Sequence, residues 1–240
     1  DEANIARLLA LRLGCGKKVP AWTVQRNCAS GMQSIDSAAR NIAHGQANLI
    51  LAGGVEVMSR APIMYNHTMA NWLGDLMRSR TLGQRISTLL KLRPGHFKPV
   101  IALLFGLTDD VVGLGMGATA ENIATRFDIT RKQMDEYSVE SHQRLALAHD
   151  KGYLDEIEAI YDNSGKYYDF DDGLRRDSSV ERLARLRPAF DKKYGAVTAG
   201  NSAQITDGAS FVLLASEAAV KKYALPTLAT ITDTQWAGLD

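Results

Sequence analysis

No apolar run in this sequence is long enough to cross a bilayer. The longest, Ala47 to Ala52 with Asn48 inside it and Val100 to Phe105, fall far short of the roughly 20 residues that a spanning helix needs. Cysteine is scarce. Cys15 and Cys28 are the only two, and neither shows metal-ligand spacing with the other or with the five histidines. No metal site is expected, and a disulfide framework is excluded. A single bridge between the two cysteines stays open on paper, but the composition is that of a reduced, intracellular enzyme. Charge of one sign is missing too. Lys plus Arg number 28 and Asp plus Glu 27, a net charge of +1. No bulk electrostatic case exists for nucleic acid or an acidic partner. What remains is an ordinary globular balance, 45% hydrophobic and 23% charged over 240 residues. That length suits one large or two small domains.

Cys28 is the most informative residue. It lies in Gln25-Arg26-Asn27-Cys28-Ala29-Ser30-Gly31-Met32-Gln33. Ala21 to Gln25 reads as a short strand, and Met32, Ile35, Ala39 and Ile42 then recur at helical spacing. The cysteine therefore falls at a strand-to-helix turn, where unpaired N–H groups favour the thiolate. Ala29, Ser30 and Gly31 are small and leave room for a substrate at the sulfur. The alternative is a buried structural cysteine, since free Cys is among the most buried residue types.

Around this turn the pattern is α/β. Asn4 to Leu13 reads as a helix closed by glycines, and the Cys28 helix ends near Gly45. Asn48 to Ala52 suits a strand covered on both faces. After Ser59 the strand–helix alternation is lost until about residue 195. Gly113-Leu114-Gly115-Met116-Gly117 is not a dinucleotide fingerprint, because its spacing is wrong. Thr130 is a plausible N-cap for a helix reaching Lys151 and Gly152. Asp162 to Asp177 reads as a surface loop, Gly195 to Thr198 and Ala209 to Leu214 as strands. Ser216 caps a last helix to about Tyr223, and Thr227 to Thr232 reads as one more strand after Pro226.

Residues 66–100 carry Arg78, Arg80, Arg85, Lys91, Arg93 and Lys98 against one acid, Asp75. Leu73, Leu76, Met77, Ile86, Leu89 and Leu90 supply an apolar face. The plain reading is an amphipathic helix pair packed on its domain. The functional readings are a seat for anionic phosphates, with Arg78, Arg85 and Arg93 as candidates, or weak contact with an acidic membrane surface. Glu56 and Asp207 adjoin glycines in turns, so both carboxylates read as structural. His142 and His149, seven residues apart on one helix, are two turns apart and too distant to share a metal.

Ordered segments spread along the chain carry a resemblance. Asn27-Cys28-Ala29-Ser30-Gly31 is similar to the nucleophile segment of the thiolase family. Gly53-Gly54-Val55-Glu56-Val57-Met58-Ser59, Met116-Gly117-Ala118-Thr119-Ala120-Glu121-Asn122 and Ser141-His142 resemble three further thiolase segments, as do Val197-Thr198-Ala199-Gly200-Asn201-Ser202 and Asp207-Gly208-Ala209 at the far end. The resemblance is nearest to acetyl-CoA acetyltransferases and 3-ketoacyl-CoA thiolases. It implies an α/β, layered thiolase-like fold, first half only, with an inserted, mostly helical loop domain. Residues 1–60 and 196–225 would form the N-terminal domain, 61–195 the loop domain, and 226–240 the beginning of the C-terminal domain. The family's Asn-Glu-Ala-Phe, Gly-His-Pro and Cys-x-Gly-Gly segments, which carry its remaining acid–base groups, are not found in the sequence. No signal-peptide pattern is visible, which says little where the resemblance makes residue 1 an interior position. A cytoplasmic location is expected, with the mitochondrion or another organelle left open.

The chemistry implied is reversible acyl transfer between thiols. Cys28 attacks a 3-ketoacyl-CoA, the C–C bond breaks, acetyl-CoA leaves, and a second CoA thiol collects the acyl group. This is the thiolytic step of fatty-acid β-oxidation; in reverse it condenses two acetyl-CoA molecules. The Cys28 backbone N–H would serve as one oxyanion donor. The resemblance gives Met116 to the acyl pocket, where the residues alone would make it a core gap-filler. Gly115 stands where some thiolases carry a CoA-contacting His. Ser202 comes one place before the family's pantetheine-facing Ser, whose position is held by Ala203. Arg78, Arg85 and Arg93 would meet the CoA phosphates. No cofactor is implied, coenzyme A thioesters being substrates, and a homodimer or homotetramer is expected. Two other readings are a decarboxylating condensing enzyme of ketoacyl-synthase type and a non-catalytic lipid-carrier or assembly protein of the same fold.

Overall fold

The computed structural model describes residues 3–238. Its elements run α1 (Ile5–Arg12), α2 (Ser30–Ala43), β1 (Leu49–Val57), β2 (Ile63–Tyr65), α3 (His67–Arg78), α4 (Leu82–Leu90), β3 (Pro99–Ile101), α5 (Ala102–Gly106), α6 (Met116–Arg126), α7 (Arg131–Asp150), β4 (Ile160–Tyr161), β5 (Tyr167–Tyr168), α8 (Val180–Ala184), β6 (Asp207–Ala215) and α9 (Glu217–Tyr223). Contacts divide the chain into two compact units. One comprises residues up to Val57 with those from Thr206 onward; the other is Met58–Ile205.

In the first unit, β1 and β6 pair antiparallel along their whole length, from Leu49 opposite Ala215 to Val57 opposite Asp207. Helix α2 lies on this pair. Ile35, Ala38, Ala39 and Ile42 recur at helical spacing and meet Ile50, Ala52 and Leu214. Small residues at Ala38 and Ala52 let helix and strand approach closely. The Ser34 hydroxyl fastens the helix to the strand, 3.1 Å from the Gly53 carbonyl. Asp36 is buried on the same helix, held by Arg40 Nε at 2.9 Å and by the Thr234 hydroxyl. The Thr234 hydroxyl, and then the Arg40 guanidinium, keep its carboxyl below the usual carboxylate range. That bond ties residues near 234 to α2.

The close approach of β1 and β6 requires glycine at position 53. A Cβ there would lie 2.2 Å from the Ser210 carbonyl oxygen and 2.7 Å from Phe211 Cα. Both are backbone atoms of the paired strand and cannot swing aside. Gly53→Ala is expected to destabilise the unit by about 1–3 kcal/mol, the usual cost of overpacking. Thermal unfolding would read this as a lower Tm; an unchanged Tm would refute the steric account.

Several sequence expectations are corrected here. Asn48 to Ala52 was expected to be covered on both faces, yet Leu51 is 58% exposed and only Ala52 of the strand is buried. Among the described residues β6 alone pairs with β1, and α2 covers one face. Ala21 to Gln25, Gly195 to Thr198 and Thr227 to Thr232 form no strands. Each has strand-like residues, but a strand exists only when a neighbour takes its N–H and C=O groups. No such ladder forms at these segments among the described residues.

In the second unit, α3 and α4 are joined through the Trp72 indole, which donates to the Thr88 carbonyl at 2.7 Å. Short strands β2 and β3 bracket them, with Tyr65 opposite Pro99. Thr81 and Gln84 form a capping box at α4, as Thr130 and Gln133 do at α7. The helix expected from Thr130 is thus present, with the expected cap. The expected loop at 162–177 carries the turn, at Gly165 with φ 82°, and the second strand, β5, of a small hairpin whose first strand, β4, lies just before it.

Candidate functional site

Cys28 sits two residues before α2 and is exposed, not buried. The structure therefore removes the reading of a buried structural thiol. The turn is built by its neighbours. Asn27 takes a left-handed conformation, φ 47°, which Asn tolerates better than most residues. Gln25 Oε1 accepts the Asn27 N–H at 2.9 Å, and the Ser30 hydroxyl accepts the Arg26 N–H at 2.7 Å. The Ala29 N–H reaches back to the Arg26 carbonyl at 3.0 Å. The cysteine is thereby presented at the tip of a turn fixed on both sides.

The start of α2 has no side-chain cap, its N-cap being Ala29. Helices α1, α3, α4, α7, α8 and α9 are all capped by a side chain. An uncapped N-terminus keeps N–H groups available for developing negative charge. The glycine-rich segment of β1 lies alongside: a Cβ at Gly54 would sit 3.9 Å from Gly31 Cα. Two of the sequence motifs thus meet at the helix start. His44, the only histidine in this unit, is at the other end of α2 with its ring on the Arg40 carbonyl.

Met116, Ser202, Ala203 and the three arginines belong to the second unit, and Cys28 to the first. Met116 opens α6 behind Gly115, again without a side-chain cap, and is 50% exposed. Within the described residues its side chain is thus only half covered. Ser202 and Ala203 are exposed on a loop, where the Ser202 hydroxyl donates to the Thr198 carbonyl at 2.7 Å. Two motifs separated by 75 residues are joined here: the Glu121 carboxylate accepts the Ala196 and Val197 N–H groups, each at 2.9 Å. Glu121 lies inside the Met116–Asn122 segment, but nothing in its local sequence signals this role. The sequence expectations also omit Asp135, whose signal is an i, i+4 partner, Arg131, on α7.

The arginine candidates are on the surface. Arg78 pairs with Asp75 at 2.7 Å, and Arg85 Nε approaches the Ser79 carbonyl at 3.3 Å. Arg93 is exposed before a short 3-10 turn at Pro94–Phe97. The apolar face expected to pack on the domain is covered only in part, with Leu73 and Leu76 half-buried and Ile86 and Leu89 exposed. Met77 is 87% and Leu90 77% exposed. Glu56 accepts the N–H of its neighbour Val57 at 3.2 Å, consistent with a structural carboxylate. His142 Nδ1 accepts the Arg175 N–H at 3.2 Å, while buried His149 Nε2 has no partner. Among the described residues no group of three or more His, Cys, Asp or Glu is disposed to hold a metal ion.

The family model described as thiolase, N-terminal domain, matches residues 1–218. The chain belongs to the thiolase family. It is 39% identical over 215 residues to the mitochondrial trifunctional enzyme subunit beta of Mus musculus, covering 90% of this chain and 44% of that protein. It is 38% identical over 230 residues to a 3-ketoacyl-CoA thiolase of Pectobacterium atrosepticum, covering 95% of this chain and 52% of the relative. Among solved structures, the acetyl-CoA acetyltransferase of Bacillus anthracis superimposes with a TM-score of 0.76 at 35% identity, over 94% of this chain and 53% of that one. Human mitochondrial 3-ketoacyl-CoA thiolase in complex with CoA gives a TM-score of 0.75 at 36% identity, over 91% and 50%. The thiolase-like α/β fold expected from sequence is therefore present, and it corresponds to the first half of such enzymes. The chain spans about half the length of the curated relatives it matches. These relatives do not favour a decarboxylating condensing enzyme or a non-catalytic carrier.

Proposed function

We propose that this thiolase chain supplies the nucleophile of a CoA-dependent acyltransferase. Cys28 takes the acyl group of a 3-ketoacyl-CoA, releases acetyl-CoA, and passes the shortened acyl group to a second CoA. The observation that carries this is the exposed Cys28 at an uncapped helix start, after a left-handed Asn27, in a thiolase-family chain. Met116 faces the acyl chain, and the loop at Ser202 and Ala203 receives the pantetheine arm. The names of relatives support β-oxidation as the setting. Residues 1–60 and 196–225 are read as the N-terminal domain, 61–195 as the loop domain, and 226–240 as the start of a C-terminal domain. A homo-oligomer in the cytoplasm, with no cofactor, is the accompanying reading. Intact-protein and peptide mass spectrometry after exposure to acetyl-CoA tests the core of it. One acetyl group on the Cys28 peptide is expected; acetyl on Cys15 alone would overturn the assignment.

A second reading concerns residues 66–100. Exposed Met77, Leu82 and Leu90 beside Arg78, Arg85 and Arg93 favour weak contact with an anionic lipid surface. Each cation near such a surface contributes about 1 kcal/mol, so changing Arg78, Arg85 and Arg93 together to Gln should weaken vesicle binding on the order of a hundredfold. Co-sedimentation with phosphatidylserine vesicles measures this. A raised KM for CoA with unchanged vesicle binding would assign the arginines to CoA phosphates instead, and no change in either would leave a solvated face.

A further inference from the structure

Among the described residues the two most completely buried side chains are both polar, Thr198 at 0% and Asp135 at 1% exposure. They belong to one network. Asp135 accepts from Arg131 Nε at 2.8 Å and from Asn201 Nδ2 at 2.9 Å. Arg131 extends its other nitrogen to the Leu183 carbonyl at 2.5 Å and the Leu186 carbonyl at 3.2 Å, at the end of α8. Asn201 closes the loop on itself: its Oδ1 accepts the Thr198 N–H at 2.7 Å, and its Nδ2 donates to the Ala196 carbonyl at 3.0 Å. The orientation of that amide is fixed by its partners, because a flip would point its oxygen at the Asp135 carboxylate. Glu121, from α6, takes the Ala196 and Val197 N–H groups. Thr198 Oγ1 accepts the Gly200 N–H at 3.2 Å. Gly195 is confined as well, since a Cβ there would lie 2.4 Å from Glu121 Oε1.

Residues 195–201 have no ladder or helix to satisfy their backbone. The Glu121 carboxylate of α6, the loop's own Thr198, Asn201 and Ser202 side chains and two main-chain bonds do so instead, and Asp135 of α7 acts on this backbone through Asn201. Burying carboxylates in this way is a poor route to stability, since well-packed apolar residues commonly serve as well or better. What such a network gives is a single backbone conformation. Ser202 and Ala203 stand exposed directly after it, and the Ser202 hydroxyl already donates inward to Thr198. The loop therefore meets a ligand chiefly through its main chain, whose groups are useful only where they are held in place.

We infer that Glu121, Asp135 and Asn201 are positioning residues that hold the main chain of 198–203 in the form that receives the amide-bearing pantetheine arm of a CoA thioester. This rests on the reading that the loop at Ser202 and Ala203 is the seat of that arm. The test uses the full-length enzyme and single-turnover acetylation of Cys28, followed by mass spectrometry. Two donors are compared: acetoacetyl-CoA, and the acetoacetyl thioester of ethanethiol, which lacks the arm. In both, Cys28 sulfur bonds to the ketone-derived acetyl carbon as the C–C bond breaks, and the acetyl thioester of the departing fragment is released after protonation. For Asp135→Asn and Glu121→Gln, half-saturation by acetoacetyl-CoA should rise about tenfold to a hundredfold, the span of one lost charge-assisted hydrogen bond. The saturated rate, and the rate with the ethanethiol ester, should stay within about threefold, too small a change for a lost hydrogen bond to a charged group. The two variants act from different helices, so failure of one to fold leaves the other to decide. Equal slowing with both donors, or no change with either, would overturn the inference. Failure of the unmodified enzyme to acetylate Cys28 with either donor would instead overturn the thiolase reading beneath it.

Discussion

Replacing Cys28 by alanine in the full-length protein is expected to abolish acetyl exchange between acetyl-CoA and free CoA. Loss of a nucleophile that acts as a unit with its base costs on the order of a million-fold in rate. The fold should be untouched, because the side chain is exposed and the turn does not depend on it. Asn27, Gln25 and Ser30 hold that turn through their own bonds. The sulfur projects beside a helix start whose N–H groups carry no side-chain cap. Exchange would be followed with labelled CoA and the fold by circular dichroism and Tm. Exchange within tenfold of the parent, in a folded variant, would remove Cys28 from the mechanism.

The legible parts of this chain were those with local physics. Thr130 with Gln133 and Ser216 with Ala219 announce helix starts through bonds that span three residues. The spacing of Ile35, Ala39 and Ile42 announced the face that α2 lays on β1. The turn that presents Cys28 was legible because its residues lie within nine positions of one another. Strands were the weak point. Asp207–Ala215 is a strand because Leu49–Val57 lies beside it, whereas Ala21 to Gln25 and Thr227 to Thr232 have strand-like residues and no partner in the described residues. The role of Glu121 was illegible for the same reason, since its bonds reach 75 and 76 residues along the chain. Asp135 and Asn201, 66 residues apart, are another such pair. Each residue looked ordinary alone; the function of the pair exists only after folding.

Residues 1–240 by themselves are expected to give no thiolysis of acetoacetyl-CoA. A thiolase cycle needs a group to take the thiol proton and another to move a proton at the acetyl carbon. The unit that carries Cys28 offers one histidine, His44. It stands beyond the far end of α2, a helix of 14 residues. At 1.5 Å per residue that is about 21 Å from the helix start, far outside hydrogen-bond reach of the sulfur. Its ring is already engaged with the Arg40 carbonyl at 2.7 Å. Cys15, the other thiol, lacks the Cys-x-Gly-Gly setting that the family uses for acid–base work. The matched relatives are about twice as long as this chain, which leaves room for those groups in the other half. A slow, stoichiometric acetylation of Cys28 is compatible with this account, because a nucleophile and an uncapped helix start suffice for one acyl transfer. Sustained turnover is not. The decay of acetoacetyl-CoA absorbance with free CoA present, measured beside the longer protein at equal Cys28 concentration, separates the two. Turnover by residues 1–240 within a thousandfold of the longer protein would place the base inside this chain, and His67, His96, His142 and His149 would be the residues to replace first.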